Sequence, residues 1–227
     1  MSRKFRRAAA KKTANEPSPN LPSLLQRAYQ HQQVRQFAQA VALYQSVLHY
    51  YKNQPDALYG LAYCYDQTGE YRKAAALYAQ LLELHPAHHG ARLNLGNMQN
   101  RLGEKEAART TYQTLLAQDP ENVWAYNNLG NLALQDGALQ TALDYYTQVL
   151  TRDPHHVVAL NNMGQVLKNQ GKLLEALAYF RRALKEPGIH LSVISNYLFS
   201  LHYDPHVTRE YLFEESKRCG AMIEAAI

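Results

Sequence analysis

Long apolar runs are missing from this chain of 227 residues. No stretch approaches the ~20 residues that a membrane-spanning helix needs, so no membrane span is expected. Cysteine is scarce too: Cys64 and Cys219 stand far apart. Two such residues build neither a disulfide framework nor a zinc-ligand spacing, and Cys64 is expected as a reduced thiol in a core. There is no secretory signal pattern, which makes a cytoplasmic location the expectation. No glycine-rich phosphate-binding loop occurs. The pairs His88-His89 and His155-His156 have no carboxylate or cysteine cluster to complete a ligand set and are read as surface residues. No catalytic residue, metal site or cofactor is therefore expected within the chain.

A one-sided charge is lacking as well, once the net +5 is located. Residues 1–20 carry Arg3, Lys4, Arg6, Arg7, Lys11 and Lys12 against Glu16, which accounts for the whole excess. The remainder holds 18 basic and 18 acidic residues. The basic character belongs to a tail, and Pro17, Pro19 and Pro22 beside Ser18 and Asn20 suit a disordered entry. Such a tail can touch nucleic acid, an anionic membrane surface or an import receptor. A plain solvated leader is the reading preferred here, with no nucleic-acid partner expected.

What the chain does have is a period. Ala40, Ala74, Ala108, Ala142 and Ala176 recur every 34 residues. Tyr44, Tyr78, Tyr112, Tyr146 and Phe180 each follow by four. The frames are 21–54, 55–88, 89–122, 123–156 and 157–188. Site eight of each frame is small: Ala28, Ala62, Gly96, Gly130, Gly164. Site fifteen is Gly69, Gly103, Gly137 and Gly171, with Arg35 breaking the pattern, and Pro86, Pro120, Pro154 and Pro187 lie near frame ends. Small residues let two helices approach, glycine supplies the φ > 0 turn between them, and proline stops the second. The aromatic at site twenty-four and Leu48, Leu82, Leu116, Leu150 and Leu184 at site twenty-eight share the buried stripe of the second helix.

This pattern resembles the tetratricopeptide repeat, a helix–turn–helix unit that stacks into a solenoid. The resemblance implies an all-α, right-handed superhelical solenoid of five repeats over 21–188, with 189–227 forming capping helices or a linker. Thr208 can N-cap the last of these, with Leu212, Phe213, Cys219, Met222 and Ile223 as its apolar positions. It also implies an interaction module binding a protein or peptide in a concave groove lined by first helices. Copies of such arms often self-associate through convex or terminal surfaces, which leaves a homo-oligomer open.

Site six reads Gln26, Gly60, Asn94, Asn128 and Asn162; site five adds Asn127 and Asn161; site nine adds Asn97, Asn131 and Gln165. Asparagine is a mediocre helix former, so its recurrence inside helices carries a propensity cost. An amide both donates to and accepts from a peptide bond, so a column of amides can hold an extended backbone with little regard to its sequence. The alternative is that these amides bond between adjacent first helices. Tyr59 and Tyr63, with Tyr29, make the N-terminal part of this face aromatic; they either stack on a ligand or pack between helices. Trp124 is open to the same two readings. Sites five, six and nine carry no basic residue, which disfavours a clamp for acidic carboxylate tails.

Beyond the repeats, Ser195-Asn196-Tyr197-Leu198-Phe199-Ser200-Leu201-His202-Tyr203-Asp204-Pro205 and Tyr211-Leu212-Phe213-Glu214-Glu215 resemble the segment that follows the repeats in bacterial O-GlcNAc-transferase-like proteins of the SPINDLY type. That resemblance implies the acceptor-recognition arm of a protein glycosyltransferase that uses a nucleotide sugar, its catalytic domain absent from this chain. Animal O-GlcNAc transferases are similar in using an asparagine ladder on substrate peptides, which would apply to Asn94, Asn128 and Asn162. The alternative is a stand-alone adaptor for assembly, secretion or regulation.

Overall fold

The computed structural model describes residues 20–188 and 190–225. The basic segment, apart from Asn20, lies outside the described residues. These form twelve α-helices and no strand, an all-α fold of the solenoid class. Five helix pairs follow the 34-residue period. They are α1 (Leu21–Gln33) with α2 (Phe37–Tyr50), α3 (Pro55–Gln67) with α4 (Tyr71–Leu84), and α5 (His89–Arg101) with α6 (Lys105–Gln118). Next come α7 (Val123–Gln135) with α8 (Leu139–Arg152), and α9 (Val157–Asn169) with α10 (Leu173–Ala183). Two more, α11 (Leu191–His202) and α12 (Arg209–Glu224), complete the chain order. The chain divides into two compact units, one up to Glu104 and the other from Lys105. The division falls inside the third frame, between α5 and α6.

Local chemistry starts and stops these helices. Each first helix after α1 in the repeats is capped at its N-terminus by the last residue of the preceding frame. Gln54 Oε1 accepts from the Ala57 N–H at 2.5 Å, His88 Nδ1 from Ala91 at 3.0 Å, Asn122 Oδ1 from Ala125 at 3.1 Å and His156 Nδ1 from Ala159 at 3.2 Å. Each satisfies an N–H that a helix start leaves without an internal partner. The turn after each first helix is left-handed, with φ between 75° and 82° at Gly69, Gly103, Gly137 and Gly171. Arg35 keeps the same turn at φ 58° despite its side chain.

The seam within each pair is built by the aromatic and the small residue. A Cβ added to Gly130 would stand 2.5 Å from Tyr146 Cε1, and one on Gly164 2.5 Å from Phe180 Cε1. The bare glycine backbone is what lets the ring lie flat on the first helix. The site-twenty-eight stripe holds in part: Leu82 and Leu184 are buried, whereas Leu48, Leu116 and Leu150 are half-buried, and site twenty-seven is buried throughout as Val47, Leu81, Leu115, Val149 and Ala183. Taken with the buried alanine at site twenty, the aromatic sets a seam direction from which site twenty-seven lies about 40° away and site twenty-eight about 60°, at 100° per residue.

In the second unit a continuous core runs from Ala133 to Cys219 and includes Val193, Ile194, Tyr197 and Leu201 of α11. Helix α11 begins 34 residues after α9 begins, so it continues the first-helix register beyond the last full repeat. Thr208 caps α12 as expected, its Oγ1 accepting from the Tyr211 N–H at 3.2 Å. Leu212, Met222 and Ile223 pack on the core and Cys219 is buried in it. Phe213 differs from expectation: it is 62% exposed, lying on the outer face of α12 with Lys217 above its ring. Cys64 and Cys219 are both free and buried, and burial pushes the Cys64 thiol up to about 11, so it stays protonated.

Candidate functional site

The first-helix residues of the two units carry different chemistry, and each unit has its own site. In the second unit the amides form a connected set. Asn162 donates through Nδ2 to Asn131 Oδ1 at 2.9 Å and to Asn127 Oδ1 at 3.3 Å. Asn127 in turn donates to Asn128 Oδ1 at 3.3 Å, and the Tyr146 hydroxyl donates to Asn131 Oδ1 at 2.8 Å. Asn128 also bonds the Tyr112 phenol. One repeat on, Asn196 Nδ2 donates to Asn161 Oδ1 at 2.9 Å. The amide column thus links successive first helices, as one of the two readings of the sequence had it.

That linkage decides what the column can offer. Asn162 commits its amide hydrogens to two neighbouring oxygens, so what it has left to offer is the acceptor capacity of its own Oδ1. Asn94 in the first unit does the same, giving Nδ2 to the Tyr59 hydroxyl at 3.1 Å and the Tyr78 hydroxyl at 3.2 Å. Both side chains are half-buried, so their orientation is fixed by bonds while part of the group reaches solvent. Asn97, Asn128, Asn131 and Gln165 are half-buried alongside them.

Asn127 and Asn161 are a correction. They are 3% and 7% exposed, because site five points between neighbouring first helices. Their amides orient other amides and are not on the open face. The buried phenols beneath take part as well. Burial pushes Tyr44 up to about 12 and raises Tyr78, Tyr112 and Tyr146 further, so all four remain neutral hydroxyls.

The first unit is aromatic, and here the structure brings together residues that the sequence did not. Leu25, Gln26, Tyr29 and Gln32 of α1, Tyr44 of α2, Asp56, Tyr59 and Gly60 of α3, and His88 line a cleft of about 490 Å³. Tyr29, which the sequence left open between stacking on a ligand and packing between helices, is 55% exposed. Tyr59 is held on three sides, stacked on His88 at 5.2 Å, edge-on to Tyr78 at 5.6 Å and bonded to Asn94. Tyr63 is half-buried one turn along α3. Gly60 is the residue whose significance was missed. Its missing side chain admits the Tyr44 ring, which a Cβ there would meet at 2.3 Å, and the phenol donates to Gln32 Oε1 at 2.8 Å. The signal was present: Gly60 stands at site six, where the next three repeats have asparagine.

Other sequence-stated candidates have local roles. Trp124 is 51% exposed and meets the His156 ring edge-on at 4.8 Å, so it is both presented and propped. His88 and His156 are helix caps, and His155 pairs with Glu186 at 2.8 Å. Arg101 donates to the Tyr71 hydroxyl at 3.0 Å and Lys168 lies over Phe199 at 5.0 Å. In the Ser195–Pro205 segment the Tyr197 hydroxyl donates to Glu215 Oε2 at 2.8 Å and Ser200 Oγ bonds the Asn196 carbonyl oxygen at 2.7 Å. These contacts fasten α11 to α12 and to its own backbone. Among the described residues no group of three or more potential metal ligands occurs, and no helix is long and apolar enough to cross a membrane.

Comparison with known proteins finds the same fold. A tetratricopeptide repeat protein from Parabacteroides merdae matches with TM-score 0.74 at 18% identity, over 95% of this chain and 83% of that one. The pilF protein of Pseudomonas aeruginosa matches with TM-score 0.70 at 17% identity, over 89% and 88%. YrrB, described as a TPR protein with an unusual peptide-binding site, matches with TM-score 0.60 at 20% identity, over 82% and 95%. No curated protein matches. Family models described as Tetratricopeptide repeat match residues 65–123, 101–157 and 127–188, and a second such model matches residues 32–83. The chain belongs to the tetratricopeptide repeat family.

Proposed function

We propose that the chain is a protein-interaction module whose first-helix faces bind an extended peptide segment. The observation that carries this is the amide arrangement at Asn94 and Asn162. With their N–H hydrogens engaged by neighbours, these side chains present fixed carbonyl oxygens suited to the N–H groups of a ligand backbone. Preorganised acceptors lose little side-chain entropy on binding, which favours weak, sequence-tolerant recognition built from several contacts. The described peptide-binding site of the structural neighbour YrrB supports the class of ligand.

The test is a polarisation titration with a labelled, unstructured peptide of mixed sequence. Replacing Asn94 and Asn162 together by alanine is expected to weaken binding about five- to hundredfold, at ~0.5–1.5 kcal/mol for each bond. Unchanged affinity in a variant that still melts cooperatively would remove this reading.

A finer reading rests on Ser195–Pro205 and takes the chain as the acceptor-recognition arm of a SPINDLY-type glycosyltransferase. The adaptor reading uses the same faces without a transferase. Immunoblotting of the native protein separates them: an arm belongs to a polypeptide several hundred residues longer, and an adaptor does not.

A further inference from the structure

We infer that the cleft of the first unit is a pocket for an arginine or lysine side chain of a partner peptide. This rests on the peptide-binding reading and names the side chain it selects.

Three observations converge. The first is charge: Asp56 is the one carboxylate among the lining residues, and these include no lysine or arginine. Gln54 Nε2 donates to Asp56 Oδ2 at 3.0 Å, which fixes the carboxylate and directs its other oxygen away from that bond. The second is the wall. Tyr29 and Tyr59 line the space with Tyr44 buried behind them, and a cation over an accessible tyrosine ring is attracted by its electron-rich face. The third is room. The cleft of about 490 Å³ takes a long side chain whole, and the bare Gly60 backbone seats the Tyr44 ring at its wall. Apolar stem against rings, charged head against a carboxylate: that is the shape of a lysine or arginine.

Asp56 has another explanation, since a carboxylate in the first turn of α3 is favoured by the helix dipole. The dipole accounts for the acid alone. It does not account for a cleft lined by Tyr29 and Tyr59, nor for a Tyr59 ring held by His88, Tyr78 and Asn94. Beyond the cleft, Asp66 at site twelve is a second carboxylate on the same first helix, and Arg101 near it is occupied with Tyr71.

The test uses the full chain and labelled glycine–serine peptides that differ at one central residue: arginine, its neutral isostere citrulline, or leucine. The arginine peptide is expected to bind about tenfold tighter than either other, consistent with one charged hydrogen bond plus a cation–π contact. Asp56→Asn, which keeps size and removes charge at an exposed position, should abolish that preference, and Tyr29→Ala should reduce it about threefold or more. Equal binding of arginine and citrulline peptides, or a preference that survives Asp56→Asn, overturns the proposal. Asn162→Ala lies in the other unit. If it weakens all three peptides alike, the general reading stands whichever way the arginine comparison falls. Should no peptide bind at all, both readings fail together. Deleting residues 1–19 is expected to leave the arginine-peptide affinity within about twofold. A gain of about fivefold or more on deletion would assign the cleft to the chain's own basic segment and overturn the partner assignment.

Discussion

Arg35 occupies a backbone conformation that its four counterparts assign to glycine. A side chain at φ 58° costs roughly 1–2 kcal/mol, while glycine regains about 0.5–1 kcal/mol of freedom when unfolded. Arg35→Gly is therefore expected to stabilise the protein by about 0.5–1 kcal/mol, raising Tm by ~1–4 °C in a thermal melt. A lower Tm would show that the arginine side chain makes a contact worth more than the strain. His156 is the other residue under tension. It is 6% exposed, its Nδ1 caps α9 and its Nε2 is buried without a hydrogen-bond partner. Burial holds its pKa below the ordinary value, with Asp153 pulling the other way. A lowered folded pKa means that the stabilisation is present above the unfolded value, near ~6.5, and lost as pH falls through the folded one. His155 has the opposite sign: its bond to Glu186 raises its pKa, so that pair helps on the acid side and fades as pH rises. Between about pH 7 and about pH 5 the Tm should fall less in His156→Asn, where the amide keeps the cap, than in the parent. Parallel pH profiles would remove His156 as the sensitive group.

At the scale of elements, the caps and the last helix pair carry most of what was not legible. Asn122 is an ordinary helix-starting residue, but Gln54, His88 and His156 at the same site are not, so the shared capping role was hidden behind three residue types. The helices, their turns and the seam of aromatic on small residue were legible, because the 34-residue spacing repeats each signal four or five times. Helix α11 was expected only as a cover, and it does cover: Val193, Ile194, Tyr197 and Leu201 are buried against α10 and its neighbours. It also extends the amide column through Asn196, a link visible only when α11 is set in the first-helix register. A chain ending at residue 188 should lose well over ~3 kcal/mol, since each large buried side chain contributes roughly 1.5–3 kcal/mol. Urea melts and dye binding to exposed apolar surface would measure the loss. Unchanged stability would mean that α11 and α12 merely lie on a core already closed.

Across the whole molecule the two units divide the labour by residue type. The second unit presents amides tied to one another and to buried phenols; the first presents tyrosines around a cleft with one carboxylate. Composition at sites five, six and nine foretold this contrast between aromatic and amide halves. It did not foretell which atoms face outward. Whether an asparagine reads a ligand or holds its neighbour depends on where its two N–H hydrogens go, and that is a matter of distances between residues 31 to 35 apart in sequence. The cleft was equally hidden, since Gly60 reads as one missing amide until the Tyr44 ring is seen lying where a Cβ would be.

The sequence by itself determined the fold, because a 34-residue period in small, aromatic and turn residues leaves the backbone one way to bury every stripe. It determined the family, the absence of a long apolar helix and the polar character of the first-helix faces. Tertiary structure alone decided the exposure of those faces: Asn127 and Asn161 turned inward, Asn94 and Asn162 left with an oxygen to offer, Tyr29 set at the rim of a cleft. The physical reason is that periodicity encodes direction from a helix axis, whereas hydrogen-bond partnership and free volume belong to pairs of helices.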